Sequence, residues 1–260
     1  MKNLLVTIIC CCFCMTLTAQ IRLDIEGDAK FVGKVDIVQS VGDSSLFLGA
    51  NAGLSDDGDN KNLFVGGNVG KVNTAGQFNT FLGMETGGSN IDGNLHVLIG
   101  YQAGRNLSGA TYNTIVGSFA GNNLTNVGNN TFIGGRAGFS TRGGNRNTFV
   151  GRDAGFTNET GNFNTYMGYN SGMKATSADQ NAFVGAGSGF NNTTGDKNTF
   201  LGRSAGLQNT TGSENTFVGW YAGSNNQNGQ RSTYIGSDAE PLNEMDSLDR
   251  AIAIGYEAKV

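Results

Sequence analysis

Paired apolar residues recur along this chain at a fixed interval of 17 residues. In each copy Asn and Thr precede an aromatic and an aliphatic residue, and a glycine follows, as in the stretch from Asn147 to Gly151. That glycine keeps its spacing at Gly49, Gly66, Gly83, Gly100, Gly117, Gly134, Gly151, Gly168, Gly185, Gly202, Gly219 and Gly236. A second glycine follows four residues later, from Gly53 to Gly223. Repetition at a short fixed period is the signature of a solenoid, whose units bury their apolar faces by stacking on their neighbours.

The run before each first glycine predicts a short strand. It is rich in aromatic and β-branched residues and ends at a turn-forming glycine. Helix is disfavoured, because each glycine in a helix interior costs about 1 kcal/mol. A second strand is expected between the second glycine and a third one, which occurs at Gly76, Gly93, Gly144, Gly161, Gly195, Gly212 and Gly229. The pattern therefore predicts an all-β, parallel β-solenoid (β-roll) of about 12 coils of 17 residues, with strands stacked ~4.8 Å apart.

Strand alternation assigns the two apolar columns to opposite faces. The residue just before the first glycine is always aliphatic or Met, and we expect it to point into the coil. The aromatic column should then point outward. It contains Phe47, Phe64, Phe81, Phe132, Phe149, Phe183, Phe200 and Phe217, and is completed by Tyr166, Tyr234, Leu98 and Ile115. An exposed apolar file of this length needs a cover, and the predicted cover is another copy of the chain along a common axis. The alternative is a wider coil that folds both columns into its own interior.

A column of asparagines precedes the predicted strands. Its members are Asn113, Asn130, Asn147, Asn164, Asn181, Asn198 and Asn215. We expect these side chains to stack as an amide ladder at a turn, each bonding the next. His96, the only histidine, stands in the same column. It is expected to substitute within the ladder rather than to catalyse a reaction, because no partner arrangement for catalysis is visible.

Four segments are predicted along the chain. Residues 1–20 have a basic start, an apolar run and a small residue before a cleavage point, which is typical of a secretory signal peptide. The apolar run falls short of the ~20 residues that a membrane-spanning helix needs. Residues 21–44 alternate apolar and polar positions and are expected to form an N-terminal β cap. Residues 45–239 hold the repeats, and residues 240–260 hold a charged insertion and a final partial coil.

Composition excludes several classes of protein. The chain of 260 residues has 42 glycines at regular positions, 1 proline and 38% hydrophobic residues, which argues against collagen, a disordered linker and an ordinary globule. All four cysteines lie within residues 1–20, so an exported mature chain would have no disulfide or cysteine metal site. The formal net charge of −4 is dispersed. The chain therefore lacks the basic stripe that nucleic acids or anionic membranes require.

The repeat resembles those of known surface fibres. The final copy, Ala251 to Ala258 (AIAIGYEA), is similar to the head repeat of YadA-type trimeric autotransporter adhesins. The longer copies, NTFVG followed by AG and NTTG, resemble repeats in secreted Bacteroidetes proteins and phage tail-fibre shafts. The resemblance implies a left-handed β-roll and a homotrimeric rod used for attachment at a cell or particle surface. A period of 17 residues is longer than the usual coil of the adhesin heads, and a C-terminal membrane anchor or chaperone domain is not recognised.

Candidate chemistry is sparse. Asp56, Asp57 and Asp59 in the stretch LSDDGDN weakly resemble a calcium loop, but the ligand spacing and the closing glutamate are missing, so a solvated turn is favoured. No catalytic, cofactor-binding or metal-binding residues are predicted, and no cofactor is expected.

The predicted function is that of a non-enzymatic, secreted or cell-surface structural or adhesive rod. Many weak contacts along its length would bind glycans or surfaces by multivalency. The first alternative is an ice-binding solenoid, because threonines recur at Thr114, Thr131, Thr148, Thr165, Thr199 and Thr216. Against it, these threonines are expected on the inward face with the aliphatic residues. The second alternative is a polysaccharide-degrading solenoid, which would need clustered acids, whereas the acids of this chain are scattered.

Overall fold

Thirteen three-residue strands form one parallel sheet in the order of the sequence. A computed structural model describes residues 45–56, 60–242 and 248–260. The strands are Leu46–Leu48 (β1), Leu63–Val65 (β2), Thr80–Leu82 (β3), Val97–Ile99 (β4), Thr114–Val116 (β5), Thr131–Ile133 (β6), Thr148–Val150 (β7), Thr165–Met167 (β8), Ala182–Val184 (β9), Thr199–Leu201 (β10), Thr216–Val218 (β11), Thr233–Ile235 (β12) and Ile252–Ile254 (β13). Helix is absent from these residues, so the predicted all-β parallel solenoid is confirmed. The predicted signal peptide and N-terminal cap lie outside the described residues.

Each strand pairs in register with the next, so equivalent residues of successive coils are neighbours. Phe149 of β7 pairs with Phe132 on one side and with Tyr166 on the other. The last pairing, Thr233 with Ile252, bridges 19 residues instead of 17. The insertion between β12 and β13 therefore lengthens one coil, and the sheet continues past the predicted end of the repeats at residue 239.

The expected second strand of each coil is wrong for the described residues. The segment between the second and third glycines is a series of turns, with a single isolated parallel bridge there between Asn94 and Thr111. In this segment consecutive amides share one acceptor of the next coil. Glu159 N–H and Thr160 N–H both donate to the Thr176 carbonyl, at 2.8 and 3.1 Å. Two adjacent donors that converge on one carbonyl bend the backbone, which is incompatible with the evenly spaced bonds of a parallel ladder.

The aromatic column forms the core of the solenoid, and the outward direction expected for it is wrong. Its inward position holds for every member predicted to face a partner chain: Phe64, Phe81, Phe132, Phe149, Phe183, Phe200 and Phe217 are 0% exposed, and Phe47 is partly buried against the core. Tyr166, Tyr234, Leu98 and Ile115 are also fully buried. Adjacent rings stack, with centroids 4.9 Å apart between Phe132 and Phe149 and 4.7 Å apart between Phe200 and Phe217. Each buried ring contributes about 1.5–3 kcal/mol of hydrophobic stabilisation.

Small residues on the opposite wall make room for these rings. Ala154 and Gly155 face Phe149 across the coil, and a Cβ added at Gly155 would lie 2.5 Å from the Phe149 ring. Gly155 also has φ +57°, a conformation that glycine adopts without penalty. A coil of 17 residues therefore holds one bulky layer, and the aromatic layer is the one it holds.

The first glycine marks the corner at which backbones of successive coils lie closest. Gly151 has φ +135°, and a Cβ added there would lie 2.5 Å from the Gly168 carbonyl oxygen. Both the backbone conformation and the contact exclude a side chain at this corner.

Candidate functional surfaces

The outer surface of the sheet, called here the sheet face, consists of the first and third residues of each strand. The first residues include Thr80, Thr114, Thr131, Thr148, Thr165, Thr199, Thr216 and Thr233. The third residues are aliphatic or Met, and Leu48, Ile99, Ile133, Met167, Leu201 and Ile235 are 37–48% exposed. Both columns point outward because the middle residue of each strand points inward. The expectation that the threonines and the aliphatic residues face the interior is therefore wrong.

The sheet face is regular and uncharged. In-register pairing places equivalent side chains of successive strands ~4.8 Å apart, and the two columns of one strand about 6.6 Å apart. Neither column contains a charged residue in any of the 13 strands. Methyl and hydroxyl groups thus form a two-column array along the described sheet.

Larger apolar side chains border the sheet face on both sides. One column follows the corner glycine and exposes Met84, Tyr101, Tyr169, Trp220 and Tyr256. The other precedes the buried asparagine column and exposes Phe78, Leu95, Tyr112 and Phe163. Sequence reasoning missed both, because these columns contain residues of every class and only their exposure distinguishes them.

The predicted asparagine column is buried, and its bonds differ from those expected. Asn147 Oδ1 accepts the backbone N–H of Asn164 at 2.9 Å, and Asn147 Nδ2 donates to the Gly161 carbonyl at 2.8 Å. The same pair of bonds recurs at Asn130 and Asn198. Each side chain therefore satisfies backbone groups of the adjacent turn and coil instead of only the next amide, which holds the start of the strand in place.

His96 takes the place of an asparagine, as predicted. It is fully buried, its N–H donates to Asn79 Oδ1 at 3.0 Å, and its Nδ1 accepts the Asn113 N–H at 3.2 Å. Burial lowers the pKa of His96 from 6.5 to about 4, against a smaller opposing effect of the Ala110 carbonyl. A neutral, fully buried imidazole that accepts a backbone hydrogen bond has a structural role.

A second inward column of asparagines was missed. Its members include Asn73, Asn90, Asn158, Asn192, Asn209 and Asn226. Here amides bond one another, since Asn209 Nδ2 donates to Asn192 Oδ1 at 2.8 Å. The signal that could have found it is an Asn three residues before the third glycine.

Asp56 occupies the position of this second column in the first coil. Its carboxylate accepts hydrogen bonds from Asn60, Asn62 and Asn73, at 3.2, 2.8 and 2.7 Å. Asp57 and Asp59 lie outside the described residues. Elsewhere along the described chain, no group of three His, Cys, Asp or Glu residues is placed to hold a metal ion.

The most buried carboxylate is locked in an ion-pair cluster. The Asp153 side chain is 4% exposed and lies 2.7 Å from Arg136 Nε and 3.2 Å from Arg152 Nε. Because two guanidinium groups hold it, this carboxylate stabilises the stack of coils and is poorly suited to proton transfer.

A shallow groove crosses three successive coils. It has a volume of about 430 Å³ and is lined by Ala75, Gln77, Phe78, Asn94, Leu95, Thr111 and Tyr112. Among the described residues, no helix has the length and apolar character needed to cross a bilayer. Comparisons of the chain with protein-family models, with curated proteins and with solved structures found no match.

Proposed function

We propose that this chain is a non-enzymatic structural or adhesive rod, secreted or displayed at a cell surface, whose copies associate through the sheet face. The observation that carries the proposal is the uncharged array of threonine and aliphatic side chains along 13 strands. Exposed apolar surface of this extent is unusual on a soluble monomer and marks an interaction site. Depletion of charge is also what distinguishes the centre of an interface from the rest of a surface.

The size of the sheet face is compatible with a specific interface. Thirteen strands at ~4.8 Å and a width of roughly 10 Å make about 600 Å² per copy. The bordering Met84, Tyr101, Tyr169 and Trp220 raise this toward the ~800 Å² per partner of stable complexes. A trimer is proposed because the final strand resembles the repeat of trimeric adhesin heads, and in a trimer the aliphatic columns of three copies would meet on one axis.

The adhesive role rests on repetition. Surface columns recur in every coil, so a ligand or surface with its own repeat would meet many weak and similar contacts at once. A non-enzymatic role is proposed because His96 is buried and neutral and Asp153 is paired with two arginines.

The test is the molar mass of residues 21–260, measured by light scattering. We expect three chains per particle, and a well-folded monomer would refute the assembly. Substitution of Val150→Asp together with Leu201→Asp places charges on the sheet face and should dissociate the particle while circular dichroism stays unchanged. Thr160→Asp and Thr194→Asp, which are exposed on another side of the coil, serve as the matched control and should leave the mass unchanged.

The aromatic column requires a different experiment from the one its expected outward position would suggest. Phe149→Asp would place a charge in a fully buried site. It should therefore unfold neighbouring coils, and any dissociation would be secondary. Loss of β-sheet signal separates this variant from the substitutions on the sheet face.

Ice binding is the second candidate, and the outward direction of the threonines favours it. The objection that they face inward is removed, since Thr148 and its equivalents lie on the exposed array. The two candidates require the same face in opposite states, covered in a trimer and exposed in a monomer. A trimer without thermal hysteresis supports the rod. A monomer that shows thermal hysteresis, lost on Thr148→Lys and Thr199→Lys, supports ice binding.

A further inference from the structure

The groove across three coils is built around apolar side chains at an unfavourable place. Phe78, Leu95 and Tyr112 are equivalent residues of successive coils and are 49%, 41% and 59% exposed. Their φ angles are 58°, 58° and 59°, in the left-handed region. Bulky residues other than glycine rarely adopt this conformation, whereas asparagine tolerates it.

The rest of the same column shows what the fold alone would accept. The next coil has Asn129, and later coils have Gln180, Lys197 and Glu214, all with polar side chains. Coils with Phe78, Leu95 and Tyr112 therefore combine a strained backbone with exposure of apolar surface. Strain of this kind is concentrated at ligand sites, where the surrounding structure holds it in place.

The polar side of the groove is fixed in position by the backbone of the coils. Gln77 N–H donates to Asn94 Oδ1 at 2.7 Å, Leu95 N–H donates to the Gln77 carbonyl at 3.0 Å, and Asn94 pairs with Thr111 in a parallel bridge. Within the described chain, the side-chain amide of Gln77 and the hydroxyls of Thr111 and Tyr112 make no hydrogen bond. These groups can therefore bond a ligand without breaking a bond of the fold.

We propose that this groove binds a neutral saccharide. A pyranose ring has apolar C–H faces and a rim of hydroxyl groups, which match the rings of Phe78 and Tyr112 and the amide and hydroxyl groups beside them. None of the seven lining residues is charged, so sulfated sugars, uronic acids and nucleic acids would find no counter-charge there. The volume of about 430 Å³ lies within the ~300–1,000 Å³ of small-ligand sites. The inference rests on the proposed adhesive function and deepens it by naming the class of ligand.

An open groove of this kind binds weakly on its own. We expect a Kd of about 1 mM for one oligosaccharide chain, with tighter apparent binding wherever several grooves engage one surface. The probes are cellohexaose, laminarihexaose and chitotetraose, with hexagalacturonate as the charged comparison. Each is titrated into residues 21–260, and binding is followed by NMR through saturation transfer from the protein to the sugar.

Two substitutions remove the apolar platform without harming the coil. Phe78→Asn and Tyr112→Asn introduce the residue that the chain itself has at Asn129. Because asparagine suits the left-handed conformation, the thermal midpoint should stay or rise, while saccharide binding weakens at least 10-fold. The matched control is Phe163→Asn, in the same column with φ 57° and 51% exposure but outside the groove. This variant should bind as the parent does.

The outcomes separate this inference from the proposed function. Binding of a neutral oligosaccharide that is lost in the two groove variants and kept in the control supports the inference. Absence of neutral binding up to about 10 mM, unchanged binding in Phe78→Asn, or preference for hexagalacturonate overturns it. A trimer that binds no saccharide sinks the groove alone, whereas a monomer whose groove binds saccharide sinks the assembly alone.

Discussion

The lowered pKa of His96 predicts that acid destabilises this fold in a defined window. The folded chain keeps the imidazole neutral until pH approaches about 4, while the unfolded chain takes up a proton near pH 6.5. Between these values the unfolded state binds more protons, so stability is complete above pH 6.5 and is lost as pH falls toward 4.

The two pKa values set the size of the effect. Integration of the linkage between 6.5 and about 4 lowers the free energy of unfolding by about 2 kcal/mol at pH 5, relative to pH 7.5. Carboxylates also begin to titrate near pH 5, so the contribution of His96 must be separated from theirs.

His96→Asn provides that separation. Asparagine already occupies this column at Asn79 and Asn113, and its Oδ1 would accept the Asn113 N–H as the His96 Nδ1 does. Its Nδ2 would reach the Ala110 carbonyl, as Asn147 reaches Gly161. The variant should therefore match the parent at pH 7.5 to within about 1 kcal/mol while it loses the histidine-dependent change.

The assay is urea unfolding of parent and variant at pH 7.5 and pH 5. The parent should lose about 2 kcal/mol more than the variant on acidification, and the carboxylate contributions cancel in the comparison. Equal losses would refute the reasoning. Because His96 is the only histidine, its imidazole NMR signal titrates alone, and a folded-state midpoint near 6.5 would also refute it.

Three further substitutions test the packing, each by urea unfolding at pH 7.5. Gly151→Ala should cost at least about 2 kcal/mol, because its Cβ would lie 2.5 Å from a carbonyl oxygen; Gly135→Ala, whose Cβ meets nothing within 4 Å, should change stability by less than about 0.5 kcal/mol, and similar costs would contradict the close approach at the corner. Tyr166→Phe should raise stability by about 1 kcal/mol, because the buried hydroxyl has no hydrogen-bond partner; a loss would show that the hydroxyl is bonded. Asn147→Ala should cost about 3 kcal/mol, because it leaves a buried N–H and a buried carbonyl unpaired, and a neutral result would exclude the role given to the asparagine column.

The period of 17 residues predicted most of the architecture. Once one repeat closes one coil, residues such as Asn147, Asn164 and Asn181 must lie in a column, and strands such as Thr148–Val150 must pair in parallel with their equivalents. The place of His96 in the asparagine column follows in the same way. These features depend on spacing alone, and spacing can be read from the sequence.

The direction of the two apolar columns depends on the tertiary structure. Phe149 and Val150 are both apolar neighbours, and alternation requires only that they face opposite sides. What turns the ring inward is the small wall of Ala154 and Gly155 on the far side of the same coil, which matches the volume of a ring. The exposed columns that include Phe78 and Trp220 were likewise hidden, because their residue types vary from coil to coil. Periodicity is a property of the chain, whereas inside and outside are decided by which volumes fill the coil once it has closed.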